Sequence, residues 1–256
     1  MPILQKDENV DLAAVRRLMS GMMRLVYDSM PKIQAKRYDI TMKADGSPVT
    51  EADVFVEQLL QDFLAENVPD LTFAGEESFS EYIAPSSHGY YAILDPIDGT
   101  ENFCSGLKEW GISFTLWYAH RHVGSLLFLP ELREHLMTGD EVHPVRSRIH
   151  GFSSSVCDEI LEGVASSRES RLMGCSVYNL YNVVRGAFAR FTNPAGAHAW
   201  DLLPGLMLAR EHNCDIEVEG RPYGGEFLEP GRRYRVDVRH RYDLHSREGR
   251  LSRPRQ

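Results

Sequence analysis

The chain has 256 residues, 43% of them hydrophobic, and a formal net charge of −9 at pH 7. This composition is typical of a globular protein with one large or two small domains, and the negative charge argues against nucleic acid as a general partner. No apolar run approaches the roughly 20 residues that span a bilayer, and acidic residues stand where a secretory signal has its apolar stretch. We therefore expect a cytoplasmic protein without a membrane partner. Its four cysteines lack metal or redox spacing, so free thiols are expected.

The first predicted element is an amphipathic helix over residues 9–30, where apolar residues recur at helical spacing. Turn-forming residues at 45–48 then predict a turn or mobile loop. Thr50 is a good helix N-cap with Asp53 three residues on, which is close to a capping box. From these residues alone, helix capping is a sufficient role for Thr50 and Asp53.

A short strand predicted over residues 70–74 leads to two adjacent glutamates, Glu76 and Glu77. Neighbouring carboxylates repel each other, and a cation between or near them relieves the repulsion. Because neighbouring side chains in an extended segment point to opposite sides, we expect one glutamate to face a metal and the other to face solvent or a partner. An exposed loop pair without a function is the alternative.

The stretch Asp95–Phe103 follows an apolar run that has the pattern of a buried strand. Pro96 has no N–H and is expected to end regular pairing, while Gly99 permits a tight turn and leaves its amide uncovered. Two carboxylates, Asp95 and Asp98, are thus predicted at the carboxyl end of a strand beside bare amides. Carboxylate and carbonyl oxygens suit Mg²⁺, and free amides at a helix start suit phosphate. An acidic surface turn is the alternative for a lone Asp-x-x-Asp.

Residues 111–118 and 123–129 predict two consecutive antiparallel strands. His120 and His122 lie in the link, where exposed hairpin residues are favoured over metal ligands because Mg²⁺ prefers oxygen. The polar stretch 131–148 predicts a domain boundary.

From residue 148 to 218, predicted strands and helices alternate, which indicates an α/β half. Asp201 stands near a helix start, where the positive end of the helix dipole favours a carboxylate. A simple cap is the alternative. The predicted strands are 148–152, 171–173, 188–191 and 215–218, and the predicted helices are 156–166, 176–185 and 201–212.

We accordingly expect an N-terminal α+β half with metal-binding loops (1–145), a C-terminal α/β half (146–231) and a basic C-terminal segment (232–256). From Arg232 onward, nine arginines stand against three acids, so that segment carries about +6. Residues 234–239 are strand-like, and a polar tail follows them. For the basic segment as a whole, a solvated, partly disordered end is the favoured interpretation. The alternative interpretation of this segment is a docking arm for an anionic partner.

Four segments resemble motifs of the inositol monophosphatase superfamily, the Mg²⁺-dependent, lithium-sensitive phosphatases. The superfamily signature Asp-Pro-(apolar)-Asp-Gly-Thr-x-Asn-Phe is filled at 95–103. The other three are the Lys, Ser-Pro, Val-Thr and Asp of 43–53, Gly-Glu-Glu-Ser at 75–78, and Trp-Asp at 200–201. The resemblance implies a layered α-β-α-β-α sandwich, α+β or α/β in class, of the inositol monophosphatase and fructose-1,6-bisphosphatase type, commonly a homodimer.

The resemblance also implies hydrolysis of a small phosphate monoester by metal-activated water, with two or three Mg²⁺ per site and Mn²⁺ as an alternative. The implied metal ligands are Glu76, Asp95, the carbonyl of Ile97, Asp98 and Asp201. The implied catalytic residues are Glu76, with Asp53 and Thr100 orienting the water and Lys43 reaching the metals from its loop. The implied substrate-binding residues are Ile97, Asp98, Gly99, Thr100, Gly174, Cys175, Ser176 and Asp201.

An inositol-1-phosphate-like substrate is favoured, yet the substrate side departs from the family pattern. The segment 174–176 keeps only the glycine of the Gly-Ser/Thr-Ala motif, and 192–195 has no carboxylate where the family has a glutamate. Histidinol phosphate, a 3′-phosphoadenosine nucleotide and a sugar phosphate are therefore alternatives. A phosphatase-like module that binds metal or partners without turnover is the alternative from another class.

Overall fold

The structure is a computed structural model, and it describes residues 2–5 and 10–242. Its helices are α1 (Leu12–Ala35), α2 (Glu51–Asn67), α3 (Thr100–Cys104), α4 (Asp158–Ser166), α5 (Ser176–Val184) and α6 (Ala199–Glu211). The strands of its first half are β1 (Ile40–Met42), β2 (Pro48–Thr50), β3 (Leu71–Gly75), β4 (Tyr90–Asp98), β5 (Gly111–Tyr118), β6 (Arg121–Leu129) and β7 (Glu134–Met137). Those of its second half are β8 (Ile149–Phe152), β9 (Glu169–Leu172), β10 (Arg190–His198), β11 (Cys214–Val218), β12 (Arg221–Pro222) and β13 (Arg233–His240).

The elements form five layers. The first sheet has the order β3-β4-β5-β6-β7, and the second has the order β12-β11-β13-β10-β8-β9. Helices α1 and α2 pack on the first sheet, and α5 and α6 contact both sheets from between them. Helix α4 lies on the outer face of the second sheet, with Gly163 against the ring of Phe152. The predicted α-β-α-β-α sandwich is confirmed.

Strand β4 lies at the centre of the first half, and all nine of its residues are buried. Its side chains alternate between two cores. Ala92 and Leu94 belong to the core that includes the apolar face of α2, whereas Tyr91 and Ile93 belong to the core that includes α5 and α6. Because both faces of the strand are covered, the sequence reads as a continuous apolar run.

The end of β4 differs from the prediction. The strand pairs parallel with β3 and antiparallel with β5, but its register with β5 shifts between Asp95 and Asp98. Pro96 lies in this irregularity, as its missing N–H requires. Pairing nevertheless resumes where Asp98 faces Gly111. Pro96 therefore interrupts the ladder and does not end it, and both aspartates stay at the sheet.

Two other segments contain strands. The polar stretch 131–148 includes β7, which pairs with β6 and extends the first sheet, and the predicted domain boundary stays a prediction. Residues 233–240 form β13, which lies between β10 and β11 in the second sheet. Its buried Val236 and Val238 alternate with polar residues, so the strand-like part of the basic segment is a strand of this sheet, and the interpretation as a solvated end does not apply to it. The remainder of the predicted segment, 243–256, lies outside the described residues.

His122 also differs from the prediction of an exposed hairpin residue. It is half-buried, its Nε2 shares a hydrogen bond of 2.7 Å with Ser125 Oγ, and its ring packs against Trp117. Burial, followed by the charge of Arg210, lowers the pKa of His122 to about 4. Within the described part of the chain, we find no helix with the length and apolar character needed to cross a bilayer.

Candidate active site

Three carboxylates from distant parts of the chain converge where β3 and β4 end. Glu76, Asp95 and Asp201, hereafter the acidic cluster, each offer a ligand oxygen, and these atoms lie within 4.8 Å of one another. The parallel pairing of β3 with β4 brings Glu76 into place, since its amide donates to the carbonyl of Leu94 at 3.1 Å. Asp201 is fixed at the start of α6, where its Oδ2 accepts the His198 amide at 2.7 Å.

Asp95 has the most buried position in this cluster. Its Oδ1 accepts the amide of Ile97 at 2.9 Å. Its Oδ2 is buried, and in the described part of the chain it has no hydrogen-bond partner. A bare, buried carboxylate oxygen is costly unless a proton or a cation meets it. Because the donors are all carboxylate oxygens, the set suits a hard divalent cation such as Mg²⁺.

The electrostatics of the cluster favour a bound positive charge. Burial raises the pKa of Asp95 well above its usual range, and the charges of Glu76 and Asp201 raise it further. Burial, followed by the charge of Asp201, raises the pKa of Glu76 to about 7. Burial likewise raises the pKa of Asp201. Without a metal, the cluster therefore holds protons near neutral pH.

Lys43 reaches the cluster from the turn between β1 and β2. Its Nζ donates to Glu76 Oε1 at 2.8 Å and to Glu77 Oε1 at 2.7 Å. Burial alone would lower the pKa of Lys43, but the two carboxylates raise it. Glu77 thus contacts the same lysine as Glu76 and its side chain is only 11% exposed, so it does not face solvent.

Glu57 takes part in this site but was not among the predicted residues. It is buried on α2, one turn beyond Asp53, and its Oε2 accepts the amide of Glu77 at 2.8 Å. A Cβ on Gly75 would lie 2.4 Å from the Glu57 carboxyl carbon, so glycine makes room for this contact. The spacing of four residues from Asp53 on one helix face was the available signal.

Asp53 and Thr100 form a second polar contact beside the cluster. Thr100 Oγ1 lies 3.1 Å from Asp53 Oδ1 and 3.0 Å from the carbonyl of Ile97, and its single proton goes to one of them. Asp53 Oδ2 accepts the amide of Thr50 at 2.8 Å, and Thr50 caps α2 in return, which confirms the predicted capping box. Burial raises the pKa of Asp53.

Asp98 lies next to the cluster but turns toward the start of α5. Its Oδ2 accepts the amide of Val177 and the thiol of Cys175, the latter at 3.1 Å. The signature loop packs closely here, because Gly99 has φ +85° and its Cβ would lie 2.9 Å from Cys175 Cβ. The segment 174–176 is thus held against the loop that contains Asp98. Its role in substrate binding stays a prediction.

Comparison with known proteins identifies the group to which this chain belongs. The model of the inositol monophosphatase family matches residues 5–148. The chain belongs to that family. It is 27% identical over 224 residues to an inositol-1-monophosphatase of Rhizobium meliloti, a match that covers 77% of this chain and 81% of the relative. It is 28% identical over 152 residues to the chloroplastic bifunctional phosphatase IMPL2 of Arabidopsis thaliana, covering 59% of this chain and 43% of that one.

A solved structure of an inositol monophosphatase and NADP phosphatase, complexed with Mg²⁺ and phosphate, has the same fold. The TM-score is 0.74 at 18% identity, and the match covers 92% of this chain and 94% of that one. As a member of the inositol monophosphatase family, the chain is a phosphatase that hydrolyses phosphate monoesters.

The start of α6, which carries the Trp-Asp motif of this family, is held by three further contacts. Ser113 Oγ on β5 donates to the carbonyl of Trp200. The ring of Trp200 stacks on His198 at a centroid distance of 4.7 Å and packs on Phe79 at 5.4 Å. These contacts fix Asp201 relative to the first sheet, and they give His198 a structural role.

Proposed function

We propose that this chain hydrolyses a small phosphate monoester in a Mg²⁺-dependent reaction, with an inositol-1-phosphate-like compound as the favoured substrate. The observation that carries the proposal is the convergence of Glu76, Asp95 and Asp201 within 4.8 Å. The Oδ2 of Asp95 is buried, and among the described residues only a proton shared with Glu76 or Asp201 could meet it when no metal is bound. Family membership supports the same chemistry.

In this proposal, Glu76, Asp95 and Asp201 hold the divalent ions, and the carbonyl of Ile97 and Asp98 complete the ligand set. When bound, such ions would lower the pKa of a water and neutralise charge on the phosphate. Two or three Mg²⁺ are proposed, and Mn²⁺ suits the same oxygen donors. Because Asp98 Oδ2 already accepts two hydrogen bonds at the start of α5, its Oδ1 is the oxygen we assign to an ion.

Thr100 and Asp53 are proposed to orient the attacking water. The Thr100 hydroxyl accepts a hydrogen bond from water while it donates to Asp53, 3.1 Å away. Since burial raises the pKa of Asp53, this carboxylate is a better proton acceptor than an exposed aspartate. Lys43 is proposed to balance the charge of Glu76 as ions bind and leave.

The amides of Gly99 and Thr100 are proposed to bind the phosphate, and 174–176 to contact the alcohol side of the substrate. Because 192–195 offers no carboxylate to hydroxyl groups, histidinol phosphate and a 3′-phosphoadenosine nucleotide remain the alternative substrates. Each differs from inositol-1-phosphate in the group next to the phosphate, so a substrate panel separates them.

The test is turnover of these three monoesters and of p-nitrophenyl phosphate, with and without Mg²⁺ and with added Li⁺. We expect Mg²⁺-dependent release of phosphate that Li⁺ inhibits. Asp95→Asn should abolish release with little effect on folding, whereas Asp28→Asn, an exposed control on α1, should leave it unchanged. Wild-type rates in Asp95→Asn would disprove the assignment of Asp95.

Stabilisation by Mg²⁺ with no phosphate released from any member of the panel would instead indicate a module that binds metal without turnover, and it would contradict the proposed reaction. We also propose a homodimer and a cytoplasmic location. Light scattering coupled to size exclusion tests the first, since a monomeric mass would contradict it. Fractionation of the source cells tests the second. Limited proteolysis between residues 138 and 148 would test the proposed division into two halves.

A further inference from the structure

A cavity lies on the outer face of the second sheet. Its volume is about 850 Å³, and α4 forms one of its walls through residues such as Gly163 and Ser166. The walls carry five arginines against one acid, Glu159. The five arginines are Arg146, Arg148, Arg168, Arg190 and Arg235. The cavity that they line is hereafter called the basic cavity.

The layer order separates this cavity from the acidic cluster. Arg168 precedes β9, Arg148 precedes β8, and Arg190 begins β10, and α4 covers this outer face of the second sheet. Asp201 of the acidic cluster lies on α6, which packs between the two sheets against β5, β6 and β10. The second sheet therefore lies between the two sites.

The arginines of the basic cavity differ in their partners. Arg190 is paired with Asp237, and Arg235 is paired with Glu159. Arg148 has a longer contact of 3.3 Å with Glu169. Arg146 and Arg168 are exposed, and within residues 2–5 and 10–242 neither makes an ion pair or a hydrogen bond. Two guanidinium groups at the mouth of the cavity therefore lack a counter-charge.

The polar groups on the floor of the cavity already have partners, because Thr192 Oγ1 donates to Asp237 and Ser167 Oγ donates to the carbonyl of Gly163. His150 shares hydrogen bonds with Thr192 Oγ1 at 2.7 Å and with Ser167 Oγ at 3.1 Å. Burial, followed by the charge of Arg190, lowers the pKa of His150 to about 4, so the ring is neutral at pH 7. Asp237 faces this side of the sheet but is bound by Arg190 and Arg239.

Among the residues that the structure describes, the acids nearest to the cavity already have partners, since Glu159 is paired with Arg235 and Glu169 with Arg148. The cavity is also larger than a single phosphate requires, and it falls within the range of about 300–1,000 Å³ that small-molecule sites occupy.

We propose that the basic cavity binds a small polyphosphate of the size of a nucleoside di- or triphosphate, at a site distinct from the catalytic one. Guanidinium groups form short, bidentate hydrogen bonds with phosphate oxygens, and Arg146 and Arg168 are the two that are free to do so. The paired arginines add to the positive potential of the walls.

The test measures binding by isothermal titration calorimetry to the full chain in a buffer freed of metals on a chelating resin. Without metals the acidic cluster repels anions, so phosphate binding at that site is suppressed. Sodium tripolyphosphate and ATP should each bind at one site, and orthophosphate should bind more weakly. The double variant R146E/R168E should weaken binding by at least about tenfold. Both side chains are exposed. If that variant fails to fold, R146Q/R168Q serves in its place and should weaken binding in the same direction.

A matched control separates a site from general charge. R24E/R121E makes the same change in net charge at two exposed arginines of the first half, and it should bind as the wild type does. Equal affinity for tripolyphosphate and ATP would indicate recognition of the phosphate chain, and tighter binding of ATP would add recognition of the nucleoside. Both outcomes support the site. No binding by the wild type, equal losses in the two double variants, or binding only to RNA or anionic vesicles would each overturn it.

Discussion

Replacing Glu76 with glutamine is expected to stabilise the metal-free protein at alkaline pH and to remove its stabilisation by Mg²⁺. The side chain is only 22% exposed. Burial, followed by the charge of Asp201, raises the pKa of Glu76 from 4.5 to about 7. The ionised carboxylate therefore costs free energy in the folded, metal-free chain, and a neutral amide of the same shape avoids that cost.

The magnitude follows from the two pKa values. A tenfold change in proton affinity corresponds to a free energy of about 1.4 kcal/mol. The difference between a pKa of about 7 in the folded chain and 4.5 in the unfolded chain therefore corresponds to about 3 kcal/mol. Because the folded chain binds the proton more tightly, this stability is complete below pH 4.5 and is lost as the pH rises through 7. At pH 8 the glutamine variant should melt roughly 6–12 °C above the wild type, and near pH 5 the two should nearly coincide.

The assay is thermal unfolding followed by the fluorescence of the three tryptophans, from pH 5 to 8.5 in metal-free buffer and again with excess MgCl₂. Glu66→Gln, an exposed control on α2, should change the unfolding free energy by less than about 0.5 kcal/mol. Added Mg²⁺ should stabilise the wild type at pH 8 and leave Glu76→Gln unchanged. A wild type as stable as the variant at pH 8, or one whose stability does not fall between pH 5 and 8, would refute the reasoning.

Three further outcomes are expected. Gly99→Ala should lower the unfolding free energy by at least about 1 kcal/mol and reduce phosphatase activity, because φ is +85° and the new Cβ would lie 2.9 Å from Cys175; unchanged urea midpoints would contradict this. Arg37→Ala should cost about 3–5 kcal/mol in urea unfolding, because it removes the counter-charge of the largely buried Glu131 carboxylate and leaves it only the indole N–H of Trp110; a loss below 1 kcal/mol would be inconsistent with a buried pair. The pKa of His150 is lowered to about 4. The contribution of its neutral ring to the stability of the fold is therefore complete above pH 6.5 and is lost as the pH falls toward 4. His150→Gln should reduce the fall in melting temperature between pH 6.5 and pH 4. An unchanged dependence of melting temperature on pH would contradict this prediction.

Much of the fold could be predicted because its central strands have clear patterns. The apolar run of β4 requires cover on both faces, and the alternation of strands and helices after residue 148 indicates the second sheet. The strand at 233–240 could be recognised from its period but not placed in the sheet. Val236 and Val238 alternate with Arg235, Asp237 and Arg239 there, and this period of two indicates a strand with one polar face.

Within the site, sequence reasoning could name the acidic cluster but not the contacts that position it. Glu76, Asp95 and Asp201 stand in recognisable motifs at element ends, where function is expected. The contacts of Glu57 with the amide of Glu77 and of Cys175 with Asp98 arise only when distant elements pack. No local pattern encodes them, since each joins residues 20 or 77 positions apart.

The acidic cluster is also the place where folding and function oppose each other. Three carboxylates within 4.8 Å, of which Asp95 is buried and the other two are half-buried, destabilise a metal-free chain. A well-packed core of similar volume would be more stable. Residues that break local rules of stability in an otherwise consistent fold are expected at functional sites. By the same physics, Mg²⁺ should stabilise the folded chain more strongly as the pH rises, because each carboxylate that loses its proton becomes available as a ligand.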